Sequence, residues 1–371
     1  MRYLLIFAVM LLAVGALSGC MTSDAVDRSP ATRFATKAIG LGDRLIVLDR
    51  HSDLWTIDPT HATAERLAAA PGNIVDLCAP PNAQGFFALV KLDEDVVRVD
   101  EWKGGKWAVG VAVSLEVPPE RTRYRSPPGL ACDDKIYIST PEQLLEVEEG
   151  KPRKLRLAPA IEPDFADYHL LSHAGALWVG VDAGEWGGAI RRIDPNSGAV
   201  QVISSETWPG ICSGPLSADC DSVFALAPSP WRADCIVAAV GSLHLTVNGR
   251  LLEVCDTRVT RLYFRRLDND DMWDWIKHDP MIGGEPALTV GFYGFARHGG
   301  ELVALGFDGI YRFAVPTKPQ IAPLPRPDNM SGFGIAEVLP EIYIVQSRPP
   351  DMWPDKGSVY DGSQYLLVGL R

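Results

Sequence analysis

His169 and His173 stand four residues apart in the run His-Leu-Leu-Ser-His, which puts both on one side of an extended chain. His298 precedes a Gly-Gly turn further on. A histidine can serve as a general base near neutral pH, so His173 and His298 are the candidate catalytic residues. A metal-assisted reaction would need carboxylates beside them, and Asp133, Asp134, Glu301 and Asp308 are the acids available for that purpose. If three or four of these six side chains meet within metal-ligand reach, the protein has the parts of a hydrolase or lyase. If they lie apart, that chemistry has no home.

Other reactive patterns are missing. The chain has no Gly-rich phosphate loop, no Gly-x-Ser-x-Gly elbow and no His-Glu-x-x-His. The acidic run Asp268-Asn269-Asp270-Asp271 lacks the Gly and distal Glu of an EF-hand loop, so it reads as a solvated face and no metal site is assigned. Six cysteines follow position 20: Cys78, Cys132, Cys212, Cys220, Cys235 and Cys255. No Cys-x-x-Cys occurs among them, and an even number suits disulfides in an oxidising compartment, with the pairing open. A net charge of −12 argues against nucleic acid and against charge-driven attachment to an anionic membrane.

The elements that must position these residues are short strands. Leu177 to Val181, Ile190 to Asp194 and Val200 to Ile203 are three in succession, separated by a Gly187-Gly188 turn and a Pro195-Asn-Ser-Gly198 turn. The Ile190 to Asp194 frame recurs at Leu54, Val96, Leu144, Leu251 and Ile310, and more weakly at Leu366. Each copy follows another apolar strand: Leu45 to Leu48, Phe86 to Val90, Ile136 to Ser139, Leu177 to Val181, Leu243 to Val247, Leu302 to Leu305 and Ile342 to Val345. Before most of these lies a third strand, as at Leu130 to Cys132, His169 to Ser172, Ile236 to Val240 and Gly334 to Val338. Units of about 40–50 residues with four short strands are the pattern of a β-propeller. The reading is therefore an all-β, seven-bladed β-propeller of four-stranded antiparallel blades in residues 34–371. The segment from Arg33 to Ile39 is expected to complete the seventh blade and so remove exposed edges.

The spacing also locates loops. Two intervals in the repeat are too long, which predicts insertions at about 204–232 and 265–288, both between blades. Longer connections inside blades are expected at 182–189 and 346–362. In an antiparallel meander all four emerge on one face. They carry Trp186, Trp208, Trp231, Trp273, Trp275 and Trp353, six of the ten tryptophans, and these six are the candidate binding residues.

The repeats resemble the blades of bacterial two-component-regulator and streptogramin-lyase-like propellers over most of residues 34–371. Streptogramin lyases use a histidine in the central channel, and that resemblance is what directs attention to His173 and His298. At the other end of the chain, Arg2 precedes an apolar run from Tyr3 to Leu17 that is too short to span about 30 Å of hydrocarbon. It ends in Leu17-Ser18-Gly19-Cys20, which resembles the lipobox of bacterial lipoproteins. The resemblance implies a cleaved signal peptide over 1–19, lipid on Cys20, and a polar tether over 20–33. Met21 stands where inner-membrane retention uses Asp, which implies an outer-membrane lipoprotein facing the periplasm. The expected function is a binding or scaffold module for an envelope protein, peptide or glycan, touching the membrane through its lipid alone and needing no cofactor. The alternative is a propeller enzyme, a lyase or lactonase-like hydrolase, with a divalent metal at the channel mouth.

Overall fold

The structure is a computed structural model that describes residues 35–42, 44–49, 52–58, 63–68, 72–80, 83–116, 126–148, 151–162, 166–184, 187–204, 214–217, 220–242, 248–266, 289–298, 300–306, 309–323, 333–339, 342–347 and 365–369. The expected signal peptide, Cys20 and the expected tether lie outside these residues.

Every sheet is a simple antiparallel meander. The first contains β1 (Ala35–Leu41), β2 (Arg44–Asp49), β3 (Leu54–Asp58) and β4 (Thr63–Arg66). The second contains β5 (Asn73–Cys78), β6 (Gly85–Lys91), β7 (Val96–Lys103) and β8 (Lys106–Ala108), with β9 (Ala112–Ser114) also paired to β7. The third runs β10 (Gly129–Cys132), β11 (Ile136–Ser139), β12 (Gln143–Glu148) and β13 (Lys151–Arg156). The fourth runs β14 (Asp167–His173), β15 (Ala176–Asp182), β16 (Gly188–Ile193) and β17 (Val200–Ile203). In the fifth are β18 (Ser222–Pro228), β19 (Cys235–Ser242), β20 (Asn248–Cys255) and β21 (Arg258–Tyr263). The sixth has β22 (Phe292–His298), β23 (Glu301–Gly306), β24 (Gly309–Phe313) and β25 (Gln320–Pro323). The last has β26 (Phe333–Leu339), β27 (Ile342–Ser347) and β28 (Tyr365–Gly369).

The first strand of each sheet touches the first strand of the next, from β1 through β5, β10, β14, β18, β22 and β26 and back to β1. The ring is closed and these strands line its centre. Two expectations need correction. Six blades are complete, not seven: the last sheet has three strands among the described residues. The N-terminal segment also does not close that sheet. Ala35–Leu41 pairs with Arg44–Asp49 as the innermost strand of the first blade, because a two-residue reversal makes the local hairpin the nearest partner for its backbone.

Burial explains why the second and third strands were so legible. Ala176–Asp182 is buried at every position but its last, and the interior of Asn248–Cys255 is wholly buried. Apolar clusters fill the space between consecutive sheets. Trp178, Ile190 and Ile203 of the fourth blade meet Val223, Ile236 and Leu252 of the fifth, for example. Outermost strands face solvent instead. Lys151–Arg156 is exposed at all but one position, and its four cations guard an edge that could otherwise pair with another chain.

The fifth blade was assigned one strand out of step. Ile236 to Val240 forms part of the second strand, not the first, and residues 243–247 fall outside the described residues. The pairing is decided by β19 lying directly against β20, with Cys235 opposite Cys255. The connection before this blade is consequently 204–221, shorter than expected, and Trp231 falls in the turn between β18 and β19.

Candidate functional site

Innermost strands start at one end of the channel, which we call the upper end. Connections between blades arrive there, and so do those joining second to third strands. Hydrogen bonds tie the two kinds together: Ser222 Oγ donates to the carbonyls of Gly184 (2.8 Å) and Gly187 (3.1 Å), and Thr289 Oγ1 donates to that of Gly249 (2.8 Å). The long connections 204–221 and 264–291 both begin and end at this upper end, as does 348–364 in the last sheet.

In the upper channel, charged groups from three blades come together. Asp76, on β5, is the hub. Its Oδ1 lies 2.6 Å from Lys37 Nζ of β1 and accepts the Leu77 amide at 2.8 Å, while Oδ2 accepts the Leu130 amide of β10 at 2.6 Å. One carboxylate thus links the first three blades. A bulge at Thr36 in β1 and another at Val75 in β5 immediately precede these side chains and re-aim them relative to a regular pleat. Comparable bulges occur at the start of β18 and β22, but β14 has none. Gly129 leaves room for the neighbouring blade: a Cβ there would lie 2.5 Å from Leu170 Cδ1, so that side chain would have to move.

His169, on β14, faces the same region. Burial in the channel wall pushes its imidazole below the ordinary value of 6.5; Asp182, Asp167 and Asp76 act in the opposite direction, and Lys37 adds to the depression. Asp167 and Asp182 are cross-strand partners at the top of β14 and β15. The imidazole is therefore neutral at neutral pH, with one donor and one acceptor to offer. Because the folded value is depressed, this histidine contributes stability above its unfolded value, and the contribution is lost as pH falls through the folded one. Wild-type stability should decline from about pH 6.5 downward, and His169→Gln should flatten that part of the curve. Urea midpoints measured across this range check it; parallel curves would show that another group is responsible.

The remaining candidates are distributed elsewhere. His173 closes β14, about 13 Å along the strand from His169, at the lower end. Asp133 accepts hydrogen bonds from Ser172 Oγ and from the Lys135 amide (2.9 Å), Asp134 is exposed, and Glu301 is paired with Arg312 at 2.9 Å in the sixth blade. Among the described residues no three of Asp133, Asp134, His173 and Glu301 lie within metal-ligand reach of one another. The backbone of His298 pairs with Glu301, its side chain is outside the described residues, and so is Asp308. The acid–base set expected from the sequence is not assembled by these four, because the fold distributes them over the third, fourth and sixth blades.

Of the six tryptophans, Trp186, Trp208, Trp273, Trp275 and Trp353 lie outside the described residues. Trp231 sits at the lower end, opposite the face expected for it. Its ring packs on the core between the fifth and sixth blades, and its Nε1 donates to the Ala314 carbonyl at 3.2 Å. Lys37, Asp76 and Asp182 were missed. The available signal was a charge inside an otherwise apolar strand, as in Asn-Ile-Val-Asp-Leu-Cys of β5.

The cysteine pattern resolves in part. Cys78 is bonded to Cys132 and Cys235 to Cys255. Cys220 is disulfide-bonded, and Cys212 lies outside the described residues.

No protein-family model and no curated protein matches this chain. Solved structures do. The β-propeller domain of Cps50 (Swd1) from Myceliophteria thermophila superposes with a TM-score of 0.51 at 12% identity, covering 91% of this chain and 98% of that one. The extracellular domain assigned to a hybrid two-component system of B. thetaiotaomicron gives a TM-score of 0.51 at 12% identity, over 91% of this chain and 38% of that one. Identity at this level speaks to fold alone. The chain is a β-propeller of four-stranded antiparallel blades, similar in fold to the Cps50 (Swd1) propeller and to that extracellular domain.

Proposed function

We propose that this protein is a recognition module of the bacterial envelope, held to the outer membrane by lipid on Cys20 and engaging a protein, peptide or glycan over the upper end of its channel. The observation that carries this reading is positional. The connections that interrupt the blade repeat, 204–221, 264–291 and 348–364, open at the same end as the Lys37–Asp76–His169 group. Asp76 is already occupied by a lysine and two amides, so this group is suited to offering fixed polar contacts rather than to abstracting protons. A rigid ring carrying variable loops suits recognition. The extracellular location of a fold neighbour is in keeping with an envelope address.

The test is capture from envelope extracts by the full chain. Trp273→Ala with Trp353→Ala should lose the captured partner while the melting curve stays in place, and undiminished capture would count against the reading. Cys20→Ala should abolish palmitate labelling; labelling that continues would refute the anchor.

A further inference from the structure

At the lower end of the fifth blade, remote from the recognition face, sulfur and carboxylate groups converge. Cys235 opens β19, Cys255 closes β20, and the two are directly opposite each other and disulfide-bonded. Glu253 precedes Cys255 by two residues, so it projects from the same face of β20, and it is only 4% exposed. The two sulfurs and one Glu253 carboxylate oxygen all lie within 4.8 Å of one another. Glu253 Oε1 accepts from Ser229 Oγ at 2.8 Å, and Oε2 lies 3.3 Å from Arg232 Nη1. The same guanidinium nitrogen is 3.6 Å from Cys255 Sγ, and Asp234 Oδ1 is 3.5 Å from Cys235 Sγ.

We propose that the Cys235–Cys255 disulfide is the oxidised form of a metal site: when it is reduced, both thiolates and Glu253 bind one thiophilic divalent cation of the zinc class. The chemistry balances. A dithiol reductant delivers two electrons and two protons to the disulfide and itself becomes a disulfide, and the cation then displaces the two thiol protons. Charge balances as well. Two thiolates and a carboxylate carry three negative charges in a buried place, Arg232 supplies one positive charge, and a divalent ion supplies the other two. Two sulfurs and one carboxylate oxygen are a ligand set that zinc accepts, leaving a fourth position for water. Ser229 is the partner that orients the ligating carboxylate. Without a cation, reduction would leave Glu253 and two thiols with a single arginine among them.

Cobalt(II) is the probe. The full chain, reduced with a phosphine and freed of reductant without air, is titrated with Co²⁺. The expected result is one ion per chain with a sulfur-to-cobalt charge-transfer band that Zn²⁺ abolishes. The band should survive in Cys78→Ser/Cys132→Ser, disappear in Cys235→Ser/Cys255→Ser, and require at least about tenfold more Co²⁺ in Glu253→Gln. A reduced wild-type chain with no such band overturns the proposal, and so does a band that persists without Cys235 and Cys255. Should the double serine variant not fold, alkylation of the reduced wild type decides. Zn²⁺ should shield Cys235 and Cys255 from iodoacetamide, and equal labelling with and without Zn²⁺ overturns the site.

Discussion

Replacing Cys78 and Cys132 together by Ala should lower the unfolding free energy by about 4 kcal/mol, the loop-closure value for a crosslink of this span. The bond joins residues 54 apart in sequence and connects the lower ends of β5 and β10, the inner strands of neighbouring blades. The Cys235–Cys255 bond, by contrast, lies within one blade, and the ring is closed by contacts of non-local strands. The bond restricts the unfolded chain, so the effect should appear as a lower denaturant midpoint, with a somewhat steeper slope as the unfolded chain expands. A loss below about 1 kcal/mol would mean that the unfolded chain without the bond keeps the two segments close, so that little closure entropy is regained.

Asp221→Ala should cost about 3–5 kcal/mol, the penalty for leaving a buried charge without its partner. Asp221 Oδ2 accepts from Arg250 Nη2 and from the Ser217 amide at 2.6 Å, and Arg250 Nε donates to the Pro215 carbonyl at 2.7 Å. The Asp221 and Arg250 side chains are 7% and 5% exposed, so water cannot replace what is removed. Replacing both charges at once, as Asp221→Leu with Arg250→Met, should recover much of the loss, because no uncompensated ion remains. The pair also fastens the end of the 204–221 connection to the third strand of its blade. Amide exchange at Ser217 should therefore accelerate in Asp221→Ala beyond what global unfolding explains. If the double variant is no better than the single, the pair's contribution lies in its hydrogen bonds to the backbone rather than in charge balance.

The second strands, Ala176–Asp182 among them, could be read from residues alone. Burial on both faces demands a continuous apolar run, and turn residues bound it on either side. The same logic located the connections that interrupt the repeat, since a missing interval is visible in any linear count. It failed in the fifth blade, where the apolar runs 236–240 and 243–247 were both plausible second strands and local pattern held no information on which lies beside β20. The register of Cys235 with Cys255 decides that. It failed also for Ala35–Leu41, because an apolar strand does not encode whether its partner is the next hairpin or the far end of the chain.

The sequence by itself determined the class of fold and the repeat, both of which are properties of short neighbouring stretches. Only the tertiary structure decided that Lys37, Asp76 and His169 share one end of a channel, that His173, Asp133 and Glu301 do not share a site, and that Cys78 pairs with Cys132. Those relations join residues from different blades, and the ring brings them together or separates them through packing between sheets that leaves no periodic trace along the chain.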